Sequence, residues 1–470
     1  MAEDERPHFE AEDVARAAER LQAFGDALPP RERAALRLVL QRAAGARRST
    51  AGTAPESVLT AGEVEVYERV SSAPDPAPSG AAAVTMIMKA TRLCNLRCTY
   101  CHSWREGPNE KMTFPVLARA TCDALRDPSA RAVDFVWHGG EATLLPLSFY
   151  RKALWLQGRF RRPGQVVENN LQTNGTRLTD EWLSFLREHD FGVGVSLDGP
   201  PEIHDARRLD AASRPTAARV RKGLDRLQAS GLERWGVLMV VDEAVRALGA
   251  RRVLDYLVEI GVARVALLNV LPENASPGAP LRGEYLPFPR FVEFLRDLFP
   301  VWLQDYRDRI VVRELADLAG QLRGDPPGIC VFAGECFGHY LTVEPTGEVS
   351  ACDKYIEDDE YAFGQVLEGG LGGVGRSERL AAVREENRRA LDRMRACPWF
   401  AVCHGGCPHD RYTGERRLPD HDGDCCGLAP LLDDMAAAVG PEGRLRRSAG
   451  DAEEIGPGAS ERGSRIELQP

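Results

Sequence analysis

Three cysteines in the stretch CNLRCTYC, Cys94, Cys98 and Cys101, stand at a spacing that lets one short loop wrap one face of a small iron–sulfur cluster. Thiolates are strong, soft ligands for iron. Three of them with no fourth nearby hold three irons of a cubane and leave the fourth open, and an open iron is a place for chemistry. Structural zinc is the rival reading, because C-x2-C pairs also build zinc sites. Such a site needs a closed set of four protein ligands, and His102 follows Cys101 too closely to fold back onto it.

Eight further cysteines lie toward the C-terminus: Cys330, Cys336, Cys352, Cys397, Cys403, Cys407, Cys425 and Cys426. Twelve cysteines in 470 residues are too sparse for a disulfide scaffold, and their clustering speaks against scattered use in a core. Cys122, alone in RATCDALRD, reads as a small buried hydrophobe. Other polar groups fall at the ends of apolar runs. Gly139, Gly140 and Glu141 follow VWH; the paired glycines allow close backbone approach and leave their amides as donors. Asn174 in QTNGT and Ser196 in SLDGP suit either contact with a ligand's hydroxyl or carboxylate groups or, for Asn174, the capping of a turn.

These residues need a scaffold, and Val84 to Asn269 supplies its pattern. Apolar runs VTMIMKA, AVDFVWHG, VVENNLQTNG, FGVGVSLDG, ERWGVLMVV and VARVALLNV alternate with stretches of helical periodicity such as FPVLARATCDAL and TAARVRKGLDRLQASG. Repeated βα units with continuous apolar strands predict a parallel sheet covered by helices. The cluster loop then follows the first strand, at the carboxyl end where active-site loops gather. Residues 1–50 read as two helices broken by Pro29 and Pro30, packed as a cap or serving as a partner-binding appendage. SSAPDPAPSG reads as a linker, and the chain from Gly440 onward as a fraying tail. The segment NVLPENASPGAPLRGEYLPFP either helps bind substrate or bridges domains.

A formal charge of −10, from 60 basic and 70 acidic residues, gives no general pull toward nucleic acid. The hydrophobic fraction of 43% suits a globular protein, and no apolar run is long enough for a membrane span. The acidic start MAEDERPHFEAED lacks a basic segment followed by an apolar one, so a cytoplasmic, reducing location is expected, with no nucleic-acid or membrane partner.

The CNLRCTYC loop resembles the signature of radical S-adenosylmethionine (SAM) enzymes. The resemblance implies one [4Fe-4S] cluster on Cys94, Cys98 and Cys101 whose open iron chelates the methionine moiety of S-adenosyl-L-methionine, and reductive cleavage to a 5′-deoxyadenosyl radical. One departure is that His102 and Ser103 precede Trp104, where many relatives carry an aromatic residue directly after the third cysteine. The implied fold class is α/β: a partial (β/α)6 barrel, a C-terminal SPASM-type iron–sulfur domain and a small N-terminal helical region. Its expected boundaries are 1–70 for the helical region, 71–83 for the linker, 84–325 for the barrel and connecting segment, 326–436 for the SPASM-type domain and 437–470 for the tail. By the same resemblance Gly139, Gly140, Glu141, Asn174 and Ser196 bind the cofactor, although Glu141 has loop orientation as an alternative role. SLDGPPEIHDARR resembles sulfatase-maturating enzymes and their peptide-modifying relatives. It puts Asp198, His204, Asp205 and Arg208 near the cavity without assigning them individual chemistry.

The second cysteine field resembles the SPASM extension, which houses two auxiliary [4Fe-4S] clusters. Matching assigns the first to Cys330, Cys336, Cys352 and Cys407, and the second to Cys397 and Cys403 with one or both of Cys425 and Cys426. Met394 stands where that pattern has another cysteine. The second site therefore has three outcomes: a complete cluster, one with an open or non-cysteine position, or none. Asp353, directly after Cys352, matches the aspartate that serves as substrate base, with acceptance of amides near the cluster as its structural alternative. Tyr355 is a weaker pocket candidate. The resemblance implies a peptide maturase that abstracts a substrate hydrogen and, as the first reading, installs an intramolecular side-chain crosslink in a ribosomally made peptide. The alternatives are conversion of cysteine or serine to formylglycine in a sulfatase, and a non-catalytic electron-transfer protein. The implied partners are a peptide substrate with a leader segment and a cellular reductant such as flavodoxin or ferredoxin.

Overall fold

The computed structural model describes residues 53–101, 110–272, 285–355 and 358–438, together with Arg20 and Phe24. The two expected N-terminal helices, the residues from His102 to Trp104, most of the proline- and glycine-rich segment after Leu271 and the C-terminal tail lie outside them. Among the described residues no helix is long and apolar enough to cross a membrane.

All six apolar runs form strands: β1 (Ala83–Thr91), β2 (Ala132–Gly139), β3 (Val166–Thr173), β4 (Gly192–Ser196), β5 (Trp235–Val241) and β6 (Arg264–Asn269). They pair in sequence order, each parallel to the next. The reason is visible in β1, where every residue from Val84 to Thr91 is buried; a strand covered on both faces has to be apolar throughout. Helices cover the sheet with one face each. The helix Phe114–Arg126, for example, buries Val116, Leu117, Ala120, Ala124 and Leu125 and places Cys122 among them. Parallel pairing puts all six carboxyl ends on one rim, so the cluster loop, the GGE turn, Asn174 and Ser196 emerge side by side.

The C-terminal region adds to the same sheet. Strand β7 (Val311–Val312) extends the β6 edge, while β8 (Tyr340–Val343) pairs parallel with β1 through Thr85↔Tyr340 to Met88↔Val343. β9 (Glu348–Ser350) returns antiparallel to β8, and β10 (Ala362–Gln365) closes that edge. The order is β10-β9-β8-β1-β2-β3-β4-β5-β6-β7. The hairpin β8–β9 thus leads Cys352 and Asp353 to the edge of the barrel, and Arg92 at the stem of the cluster loop donates to Glu344 in its turn at 2.8 Å.

Lys89 stands opposite His138 in the regular β1–β2 register, and a shift between Lys89 and Thr91 then sets Thr91 opposite Gly139. Such irregularities re-aim side chains at functional rims. The adjoining glycines answer to sterics. A Cβ on Gly139, whose φ is +129°, would stand 2.2 Å from the Thr91 carbonyl oxygen, and one on Gly140 would stand 2.1 Å from that of Leu93. The amides of Gly140 and Glu141 donate to these same two carbonyls, each at 2.7 Å. They are therefore committed to the stem of the cluster loop and are not available to a ligand, contrary to the sequence expectation. A buried polar group takes the partner nearest to hand.

Gly140→Ala is expected to lower the free energy of unfolding by about 2–3 kcal/mol and to reduce iron incorporation. Gly369→Ala, which meets nothing within 4 Å, is the matched control and leaves both unchanged. Denaturant unfolding and iron analysis of the two variants check this.

Candidate active site

Cys94, Cys98 and Cys101 sit together on the loop after β1, and the neighbouring thiols add to the upward pKa shifts of Cys94 and Cys98. Burial comes first among the causes and pushes the Cys94 and Cys98 thiols up to about 12. Burial disfavours thiolates, so three thiols gathered on one loop, Cys98 buried and Cys94 and Cys101 half-buried, are a donor set that a cationic centre would complete. None of the twelve cysteines is in a disulfide. Among the described residues no three His, Cys, Asp or Glu side chains converge on a single metal ion.

The expected cofactor residues surround this loop, but they are partly tied to each other. Glu141 is buried and accepts from Thr143 N at 3.1 Å, Thr173 Oγ1 at 2.7 Å and Asn174 N at 2.7 Å. Its carboxylate joins the ends of β2 and β3, which is the loop-orienting role. Asn174 caps its turn by accepting from Thr176 N at 3.0 Å, and donates to Asn95 of the cluster loop at 2.9 Å. Ser196 Oγ accepts from Gln172 at 2.9 Å at the end of β4.

The segment after Ser196 is a buried ionic knot. Asp198 is fully buried and receives Arg208 through Nε at 2.8 Å and Nη2 at 3.1 Å, Tyr100 OH at 2.6 Å and Val240 N at 3.1 Å. Burial alone would raise the Asp198 pKa, but the guanidinium outweighs it and holds the carboxyl below its usual range. Arg208 Nη1 also reaches Cys98 Sγ at 4.0 Å. Asp205 accepts from Thr216 N at 2.8 Å and Ala217 N at 2.7 Å, which starts the helix Ala217–Ala229. These residues therefore position the cluster loop. Tyr100 and Arg208 were not assigned this role from sequence, although YC followed by a distant HDARR contains both.

Asp353 lies buried at the inner wall with Lys89 from β1 and His138 from β2. Lys89 and Asp353 form an ion pair, His138 Nδ1 is 3.2 Å from Asp353 Oδ2, and Lys89 Nζ is 3.0 Å from the same ring nitrogen. Burial would raise the Asp353 pKa, yet Lys89 first and His138 next hold it well below the carboxylate range. Burial, reinforced by Lys89, pushes the His138 pKa down. One ring nitrogen faces both neighbours: carrying a proton it serves Asp353, and bare it receives Lys89. Sequence reasoning passed over Lys89, although a lone lysine in the apolar run VTMIMKA was the available signal.

Cys330, Cys336, Cys352 and Cys407 are likewise mutually close, with burial the largest cause raising Cys336 and Cys352. Cys397, Cys403, Cys425 and Cys426 form a third group, in which both adjacent cysteines take part: Cys426 interacts with Cys403 and Cys425, and Cys397 with Cys425. Met394 is buried, with its sulfur 3.5 Å from the place of a Cβ on Gly405. Tyr355 is packing, stacked on Tyr361 with ring centroids 3.9 Å apart.

Two outcomes follow from the ionic knot. Arg208→Met strands the Asp198 carboxylate and is expected to cost about 3–5 kcal/mol in urea unfolding, whereas Arg219→Met, losing an exposed partner of Asp210, costs about 1 kcal/mol or less. His204 accepts from Asp198 N at 3.3 Å and meets Thr216 Oγ1 at 3.1 Å, while that hydroxyl donates to the Arg208 carbonyl, so the neutral ring uses both nitrogens. Burial, then the Arg208 charge, pushes its pKa down to about 4. A depressed folded value means stability is present above the unfolded value of about 6.5 and is lost as pH falls toward the folded one. Unfolding curves across that window should flatten in His204→Gln relative to the unsubstituted protein.

Comparison with known proteins agrees with this architecture. The Radical SAM superfamily profile matches residues 88–245, and the SPASM iron-sulfur cluster-binding domain profile matches residues 335–398. A serine-type anaerobic sulfatase-maturating enzyme of Klebsiella aerogenes is 33% identical over 358 residues, 75% of this chain and 84% of that protein. A cysteine-type enzyme of Clostridium perfringens is 28% identical over 341 residues, 70% of this chain and 90% of that one. The solved structure described as native anSMEcpe with bound AdoMet and Cp18Cys peptide superposes with a TM-score of 0.65 at 26% identity, covering 77% of this chain and 98% of that one. An α/β partial barrel with a cysteine loop at its mouth, continued by a cysteine-rich extension on the same sheet, and these relatives lead to one conclusion: the chain belongs to the radical SAM superfamily, as a SPASM-domain oxidoreductase related to the anaerobic sulfatase-maturating enzymes.

Proposed function

We propose that this enzyme oxidises a cysteine or serine side chain of a peptide or protein to formylglycine. The crosslinking reading placed first from sequence receives less support: the relatives at 28–33% identity that cover most of this chain are sulfatase-maturating enzymes of both serine and cysteine type. The observation that carries the proposal is the Lys89–His138–Asp353 group, a charged carboxylate in an apolar wall between the cluster loop and the SPASM-type cysteines.

S-adenosyl-L-methionine and a [4Fe-4S] cluster held by Cys94, Cys98 and Cys101 would supply hydrogen-atom abstraction when bound, and an auxiliary cluster held by Cys330, Cys336, Cys352 and Cys407 would take up the one electron that remains once Asp353 has the proton; from a cysteine, water then displaces the sulfur as sulfide. The chain's own residues do the rest. The paired glycines and the Asp198–Arg208 knot fix the loop, so that a substrate side chain at the mouth meets a defined geometry. Asp353 stands ready to take the proton from the substrate's hydroxyl or thiol, because its neighbours keep it ionised. A carboxylate held low in pKa is a weak base, so the step requires Lys89 and His138 to withdraw the hydrogen bonds they donate to Asp353 as the proton arrives. An electron carrier such as flavodoxin or ferredoxin completes the proposal as the reductant.

Asp353→Asn is expected to lower product formation by about 100-fold or more while 5′-deoxyadenosine is still made. The assay is anaerobic turnover of a serine- or cysteine-containing peptide, with mass and fragmentation analysis. An aldehyde at that single residue supports formylglycine. Loss of two hydrogens shared between two side chains would instead return the crosslinking reading, and equal loss of both activities in an iron-replete variant would remove Asp353 as the base.

A further inference from the structure

Consecutive residues Cys352, Asp353 and Lys354 face different surroundings. Asp353 meets Lys89 and His138 at the barrel wall, while Lys354 turns toward the cysteine group formed by Cys330, Cys336, Cys352 and Cys407. Its ammonium is 3.8 Å from Cys407 Sγ and 3.2 Å from Asp410 Oδ1, and the side chains of Lys354 and Asp410 are only 4% and 5% exposed. The backbone amide of Lys354 also donates to the sulfur of Cys352. Cys407 precedes the helix Pro408–Arg417, whose amides at His409 and Asp410 point back to its sulfur. One lysine therefore touches two sulfurs of the group, and one carboxylate balances its charge.

We infer that Lys354 and Asp410 form an opposed pair that sets the reduction potential of the auxiliary cluster on these four cysteines. Adding one electron to such a centre makes it more negative; no bond forms or breaks. A cation and hydrogen bonds at the ligand sulfurs stabilise the added charge and raise the potential. A nearby carboxylate does the opposite. A buried ammonium against a ligand sulfur fits a centre that accepts an electron, and Asp410 keeps that tendency in bounds. The inference rests on the assignment of Cys330, Cys336, Cys352 and Cys407 as ligands.

The test is a potentiometric titration of anaerobically reconstituted, full-length protein without substrate, with dithionite supplying electrons through mediator dyes and electron paramagnetic resonance reading each reduced cluster. Lys354→Gln should shift one auxiliary signal to lower potential, Asp410→Asn should shift the same signal to higher potential, and Lys354→Arg should stay near the unsubstituted value. The signal lost on replacing Cys94, Cys98 and Cys101 should not move in any of them. Shifts of the same sign in Lys354→Gln and Asp410→Asn, or no shift in either, would overturn the inference. Where Lys354→Gln fails to retain iron, the upward shift in Asp410→Asn decides alone. Absence of any second signal in the unsubstituted protein would instead contradict the ligand assignment, and so is distinguishable from failure of the tuning.

Discussion

The pairing of β8 onto β1 is the interaction on which the rest depends. Without it the β1 edge would keep unpaired backbone groups, and the barrel and the C-terminal cysteine region would be chemically separate. With it, a side chain on β1, Lys89, faces a carboxylate that lies more than 260 positions later in the chain, Asp353. An edge strand offers a row of unpaired amides and carbonyls, and capping that edge with β8 both satisfies them and fixes where the SPASM-type segment must lie.

Charge is then handled locally. Three carboxylates near the sulfur groups each have a cation, Asp198 with Arg208, Asp353 with Lys89 and Asp410 with Lys354, while Glu141 is held by neutral donors. Two of these cations also approach a cysteine sulfur, Arg208 at Cys98 and Lys354 at Cys407. Burial of ionic pairs is weak as a source of stability, since desolvation opposes attraction. Their placement beside every cysteine group but one argues for a role in holding thiolate charge.

Much of this was legible in the sequence. The six βα units, their parallel pairing and the placing of the cysteine loop after β1 follow from continuous apolar strands and helical periodicity. The first cysteine group was legible from spacing, and the division of the later eight came from the resemblance to the SPASM extension. Two things were not. Periodicity does not say which residues of a strand face inward at its end, so Lys89 and His138 passed as strand residues until the β1–β2 register set them opposite each other. The amide of Gly140 was read as free because its partner, the distant Thr91 carbonyl, is set by tertiary packing alone. The tyrosine cluster around Tyr355 and the role of Lys354 beside it likewise depend on the helix Pro408–Arg417 returning across the hairpin.

The proposed role of Asp353 as substrate base requires a peptide side chain to reach it between the cluster loop and the β8–β9 hairpin. A crystal structure of the reconstituted enzyme with S-adenosyl-L-methionine and a serine- or cysteine-containing peptide tests that claim most directly. The account predicts the reactive side chain's oxygen or sulfur within hydrogen-bond reach of Asp353, with its β-carbon facing the adenosyl group. A peptide seated elsewhere, with Asp353 still sealed behind Lys89 and His138, would contradict it.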